Sequence, residues 1–237
     1  MANSKKVEIP QLKITFKVNN FRLSDRQKEF LALALHHKTN IMFISGPAGS
    51  TKTYMAVYAA LRHLSAYSDL DMLYVRTAIE SGEKGLGALP GNIEEKINPY
   101  MAPLEDKLFE MLPKNMSPSI RHDLLESHRI QAMPINYLRG ASWSNKVVVA
   151  DEAQNFTFKE LTTLITRLGK DSTMFVCGDF MQSDINGKTG FRKMFDLFDD
   201  APSRKKGIHS FSFTTEDIMR SEIQKFIITK LQKETGS

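Results

Sequence analysis

Residues Asn40 to Thr53 read NIMFISGPAGSTKT, and the order of residue types along that stretch decides the fold. Asn40 to Ser45 is a short, continuous apolar run, which is what a strand buried on both faces requires; a half-exposed strand would alternate. It ends in Gly46-Pro47-Ala48-Gly49, and a helical pattern runs from about Thr51 to Tyr67. A second apolar run, Met72 to Arg76, comes next. Strand, glycine turn, helix and strand in that order make a βαβ unit.

The same alternation continues outward. Downstream the pattern predicts strand Lys146 to Asp151, helix Thr157 to Leu168, strand Ser172 to Gly178, helix Gly190 to Leu197, strand Gly207 to Phe213 and a last helix from Thr214 to Lys233. Strands alternating with helices imply an α/β protein with a mostly parallel sheet and helices on both faces. Upstream, Ser24 caps a helical pattern from Asp25 to His37. Residues 1–22 alternate loosely and read as an arm or an edge strand, since Pro10 cannot donate to a central ladder. Residues 78–128 interrupt the regular order with glycines and prolines, with helices expected over Ile93 to Leu112 and Ser119 to Ser127 and a strand over Arg129 to Met133. They read as a helical insertion within a single domain, 23–237.

Composition narrows the class without deciding it. The chain has 237 residues, 41% hydrophobic and 25% charged, which excludes disordered, collagenous and coiled-coil proteins and allows a sizeable core. A net charge of +5 favours polyanionic partners only weakly. One cysteine, Cys177, excludes an internal disulfide and a cysteine zinc cluster and suits a reducing compartment. With no long apolar run and no apolar stretch behind the basic N-terminus, the expectation is a cytoplasmic protein without a membrane span. The histidines show no metal-ligand spacing.

The chemistry of Gly46, Pro47, Ala48, Gly49, Ser50, Thr51, Lys52 and Thr53 is that of a phosphate-binding loop. Glycines let backbone N–H groups curl around a phosphate, and the helix N-terminus adds partial positive charge. Lys52 can reach β- and γ-phosphates, and Thr53 offers a hydroxyl to Mg²⁺. Thr51 departs from the usual glycine before the lysine; it is tolerable if its φ is that of an ordinary helix. The competing reading of the loop alone is a capped glycine turn with no ligand.

Asp151 and Glu152 end the apolar run Val147 to Ala150, at the sheet edge where parallel strands present ligand-binding residues. Asp151 suits a Mg²⁺ ligand or the holder of one, and Glu152 a base that activates water. On their own the two acids could equally be a helix cap. A third strand ends in Gly178-Asp179 with Gln182 beyond it, where an amide could sense a γ-phosphate. Cys177 lies inside that strand and reads as a small buried hydrophobe rather than a nucleophile.

These positions resemble the PhoH-like family of phosphate-starvation-inducible ATPases, whose core is similar to one RecA-like domain of superfamily 1 helicases, a P-loop NTPase fold. Besides the loop, the resemblance rests on Arg76 to Gly91 (RTAIESGEKGLGALPG), Lys96 to Leu104, Arg139-Gly140, Asp151 to Asn155 (DEAQN), Thr166 to Gly169 (TRLG), and Gly178-Asp179 with Gln182 and Asp184. It covers Leu23 to Ile228. Departures are Thr51 for glycine, Thr77 for proline, Ala88 for phenylalanine, and Ala141-Ser142 where the family carries a second arginine.

The resemblance implies ATP binding, Mg²⁺-dependent hydrolysis, helicase-like work on RNA or single-stranded DNA, and a homo-oligomeric ring, a hexamer among its possible sizes. It implies that Gln27 reads the adenine edge, the bland alternative being a solvated helix residue. It implies an arginine presented in trans, with Arg167 and Arg220 as candidates and ordinary ion pairing as the alternative for each. Gly82 to Gly91 with Lys84 could track a nucleic-acid backbone or be a bare loop. Tyr100, Tyr137 and Trp143 could stack on bases but fit a core better. Arg204-Lys205-Lys206 reads as a solvated cluster. Two other functions compete: an ATP-dependent scaffold or switch whose turnover Thr51 has blunted, and a small-molecule kinase, which Glu152 beside Asp151 argues against.

Overall fold

A computed structural model of the chain describes residues 16–77, 93–116, 124, 127, 129–135, 142–181, 190–218, 223, 226–227 and 229–230. Its strands are β1 (Ile41–Ser45), β2 (Asp71–Arg76), β3 (Ile130–Pro134), β4 (Lys146–Ala150), β5 (Thr173–Gly178) and β6 (Ile208–Ser212). They form one six-stranded sheet in the order β3-β2-β4-β5-β1-β6, and every ladder is parallel. The helices are α1 (Asp25–Ala34), α2 (Lys52–Ala66), α3 (Ile93–Met111), α4 (Phe158–Ile165), α5 (Phe191–Leu197) and α6 (Ala201–Lys205).

Side-chain alternation along the buried strands divides the core into two layers. Met42 and Ile44 of β1, Met72 and Tyr74 of β2, Val147 and Val149 of β4, and Phe175 and Cys177 of β5 pack with α1, α2 and α3. Ile41, Phe43, Leu73, Val75, Val148, Ala150, Met174 and Val176 point the other way, toward α4 and α5. The expected sheet with helices on both faces is therefore what forms. Among the described residues no helix is long and apolar enough to cross a membrane.

The differences from expectation lie at the periphery. Residues 16–24 form no strand; they are an arm strapped over the helices, with the Phe16 carbonyl accepting from the Ser65 hydroxyl at 2.8 Å and the Asn19 N–H donating to the Met111 carbonyl at 2.8 Å. Residues 1–15 lie outside the described residues, as does all of the expected helix 119–127 except Leu124 and Ser127. Helix α6, not expected, follows the Asp200 cap, and Arg204 near its end is exposed and paired with Asp199 at 2.9 Å. Gly207 then turns the chain into β6 at φ 76°, where a Cβ would stand 1.9 Å from the Lys38 carbonyl oxygen. Thr214 caps a 3₁₀ turn, Thr215–Asp217, rather than a long helix, because Asp217 closes a capping box and Ile218 leaves in an extended conformation. Helical residues reappear at 223, 226–227 and 229–230.

His63 ties two of the helices together. Its Nε2 lies 3.1 Å from the carbonyl of Ala34, the last residue of α1. Burial pulls the imidazole below its ordinary pKa of about 6.5, against the opposing effect of the bond to Ala34. A depressed pKa means that the unfolded chain takes up the proton first, so this stabilisation is complete above about pH 6.5 and is lost as the pH falls below it. Urea midpoints measured at pH 7.5 and pH 5 are therefore expected to fall more for the wild type than for His63→Gln.

Candidate active site

All the strands end at one edge, and β1 hands the chain there to the loop 46–51. Ser45 holds the edge to β6 through its hydroxyl, 2.8 Å from that of Ser212. Gly46 is hemmed in: a Cβ would lie 2.5 Å from Ser50 Oγ and 3.0 Å from the Phe213 Cβ. Gly49 has φ 79° and Thr51 φ 65°, so two left-handed residues curl the backbone before α2 begins. Glycine adopts that conformation freely, whereas a β-branched side chain is strained in it. The condition under which Thr51 would be tolerable, an ordinary helical φ, is thus not met. Ser50 is fully buried, and its hydroxyl has no hydrogen-bond partner among the described residues. Lys52 bends back over the loop, its Nζ donating to the Pro47 carbonyl at 3.3 Å.

Thr53, in the first turn of α2, donates its hydroxyl to Asp151 Oδ1 at 2.6 Å. The alternation that puts Val147 and Val149 on the α2 layer puts Asp151 there too, two residues on. Tyr74 is paired in register with Val149, so its phenol reaches the same carboxylate and donates to Oδ2 at 2.5 Å. Burial first, and then the charge of Asp151, push the Tyr74 phenol far above its ordinary pKa, so it remains a donor. Burial, reinforced by Asp151, likewise pushes the Cys177 thiol well up, which agrees with the reading of an inert buried residue.

Glu152 leaves the strand at φ 56° and keeps its side chain 37% exposed. Two groups fix its carboxylate: the Arg76 guanidinium, 3.6 Å from Oε1, and the Gln154 amide, which donates to Oε2 at 2.5 Å. Arg76 also lies 3.8 Å from Asp151 Oδ2, so one cation serves both acids. The Gln154 carbonyl oxygen in turn accepts from the Asp179 N–H at 3.0 Å, joining the ends of β4 and β5.

The structure therefore brings together the loop, Lys52, Thr53, Asp151 and Glu152. Gln27 is adjacent but otherwise engaged: its Oε1 accepts from the Ser24 N–H at 3.0 Å and its Nε2 donates to Thr51 Oγ1 at 3.0 Å. At 5% exposure it is not the solvated helix residue of the bland reading, and its amide is turned to the loop. Arg167 sits at the opposite edge of the sheet, its carbonyl accepting from the Trp143 N–H at 2.8 Å just ahead of β4. A cleft of about 930 Å³ runs along that edge, lined by both signs of charge, including Arg62, Asp69, Lys170 and Asp171. Trp143 is core, at 7% exposure. Gln182, Asp184, Arg220, Gly82 to Gly91 with Lys84, Tyr137, Arg139-Gly140 and the side chain of Tyr100 lie outside the described residues.

Sequence reading gave no role to Tyr74, Arg76 or Gln154. The available clue was Tyr74 in a strand with no exposed central positions, since a buried phenol needs an acceptor.

The metal-binding capacity of the site follows from its donors. Thr53 and Asp151 offer two hard oxygens, which suit Mg²⁺, an ion that keeps waters and takes further ligands from substrate phosphates. Among the described residues no group of three or more His, Cys, Asp or Glu side chains could cage a metal. The parallel sheet, the glycine loop opening α2 and the acid at the end of β4 together make this an α/β fold of the P-loop NTPase type.

The chain is similar to several known proteins. In outline the chain is similar to the DUF1998 helicase MrfA bound to DNA (TM-score 0.44, 14% identity, 81% of this chain and 27% of that one). A similar likeness is found to the Pif1 helicase from Candida albicans (TM-score 0.39, 13% identity, 82% and 40%). By sequence it is 36% identical over 190 residues to a PhoH-like protein of Mycobacterium tuberculosis, covering 79% of this chain and 51% of that protein. It is 32% identical over 208 residues to one from Bacillus subtilis, covering 88% and 62%. The chain thus spans between half and two-thirds of the length of these two relatives. The model of the PhoH-like protein family matches residues 22–232, and the chain belongs to that family.

Proposed function

We propose that the chain is a Mg²⁺-dependent ATPase that acts on RNA or single-stranded DNA as an assembly of identical copies. The observation that carries this reading is the 2.6 Å bond from Thr53 to Asp151, which joins the phosphate loop to the acidic strand end. Thr53 and Asp151 would hold Mg²⁺, which when bound neutralises charge on the β- and γ-phosphates. The loop amides and Lys52 bind the phosphates. Glu152, oriented by Arg76 and Gln154, takes the proton of the attacking water. Gln182 is proposed as the γ-phosphate sensor and Arg220 as the arginine given in trans; Arg167, at the far edge, could reach a nucleotide only on a second copy. The nucleic-acid partner, the ring and the cytoplasmic location rest on the family resemblance, the net charge of +5 and the single cysteine.

A second reading, an ATP-dependent scaffold with slow turnover, is favoured by one observation, the strained φ of 65° at Thr51.

ATP hydrolysis by the purified protein, with and without single-stranded RNA or DNA, separates the two. Lys52→Ala is expected to abolish hydrolysis, and Glu152→Gln to lower it on the order of a hundredfold or more while ATP still binds. Undiminished turnover in Glu152→Gln would sink the assignment of the base, and a negligible wild-type rate with either polymer would favour the scaffold.

Tyr74→Phe removes one donor from the Asp151 carboxylate and leaves the ring in place. The Mg²⁺ concentration for half-maximal hydrolysis is expected to rise about tenfold or more, as for other groups that orient a metal ligand. An unchanged requirement would mean that Asp151 does not depend on Tyr74 for its role.

A further inference from the structure

The hydrogen bond between Gln27 and Thr51 joins two residues that the phosphate chemistry alone does not connect. Thr51 stands where glycine would be free of strain, at φ 65° and ψ 8°. A threonine left to itself would relax toward a negative φ, and that rotation would re-aim the backbone N–H groups at the start of α2. Those amides are the ones a phosphate would meet. Two contacts oppose the rotation. The Thr51 carbonyl accepts from the Met55 N–H at 2.8 Å, and the hydroxyl accepts from Gln27 Nε2 at 3.0 Å.

Gln27 is itself anchored. It is 5% exposed, and its carbonyl oxygen closes the capping box of α1 with the Ser24 N–H at 3.0 Å. Its orientation is therefore set by the N-terminus of α1. Threonine supplies what glycine lacks, a hydroxyl at the strained position, and Gln27 supplies its donor.

We propose that Gln27 is a positioning residue that braces the left-handed Thr51 and so holds the phosphate loop in its binding shape, without regard to the base of the nucleotide. The proposal rests on the nucleotide-binding reading above and adds the device that makes threonine workable in the loop.

The test uses the full chain as wild type, Gln27→Ala, Thr51→Val, Thr51→Gly and Gln27→Ala/Thr51→Gly. Calorimetric Kd values for MgADP and MgGDP, taken well below the unfolding temperature, are compared with thermal midpoints without nucleotide. Thr51→Val keeps the branched side chain and removes the hydroxyl while leaving the α1 cap intact, so it stands in if Gln27→Ala fails to fold. Gln27→Ala and Thr51→Val are expected to raise Kd about three- to tenfold, the equivalent of one net hydrogen bond, by the same factor for both nucleotides. In the Thr51→Gly background, where there is neither strain nor hydroxyl, Gln27→Ala is expected to change Kd by about twofold or less.

A loss confined to MgADP would overturn the proposal in favour of base reading by Gln27. An equal loss in both backgrounds, or none in either, would overturn it as well. If the wild type bound neither nucleotide, the nucleotide reading would fail, and the brace would be judged by the midpoints: a smaller effect of Gln27→Ala in the glycine background supports it, and additive effects overturn it.

Discussion

Asp151 carries a carboxylate at 3% exposure, and a buried charge is tolerable only where donors replace the water it has lost. Three side chains from two elements supply that replacement: Tyr74 and Arg76 from β2, and Thr53 from α2. Each can reach the carboxylate only if β2 lies beside β4 and α2 lies across them on the same face. The strand order and the packing of α2 are thus the conditions under which the Asp151 carboxylate can be buried with its oxygens satisfied. Because Thr53 is the second residue of α2, satisfying the acid also fixes where the glycine loop 46–51 sits against the sheet.

Backbone strain is distributed unevenly. Among the described residues, the non-glycine residues with positive φ are Thr51, Asn145, Glu152 and Asp171. Asn145 and Asp171 occupy turns just before β4 and β5, and short polar side chains of their kind adopt the left-handed region readily. Thr51 and Glu152 do not belong to that class, and both stand at the carboxyl edge. Strain held by residues unsuited to it is found where the surroundings over-determine the conformation. Here those surroundings are the Gln27 bond at Thr51, and Arg76 with Gln154 at Glu152.

The parallel sheet was legible because buried strands and glycine turns leave strong local patterns. The Gly46 to Thr53 loop and the acids Asp151 and Glu152 were readable for the same reason: each is contiguous in sequence and placed by a strand end. What was not legible depends on register between strands distant in the chain. The bond from Tyr74 to Asp151 requires Tyr74 to lie opposite Val149, and nothing in either segment alone specifies that pairing. The contact of Gln27 was illegible for another reason: its amide is turned toward the Thr51 hydroxyl, a partner that a loop with glycine at that position could not offer. Helix α6 is too short to show a period, and the 3₁₀ turn at Thr215–Asp217 uses the same capping residues that open an α-helix.

Gln154 has one further implication. An amide is a directional connector, with a donor at one end and an acceptor at the other, and here the donor end grips the Glu152 side chain while the acceptor end grips the main chain of Asp179. A displacement of the Glu152 carboxylate therefore pulls, through Gln154, on the backbone of Asp179 as well as on the Arg76 side chain. The chain ends leaving β4 and β5 are thus tied to each other by one side chain beyond the last paired residues of their ladder, Ala150 and Val176.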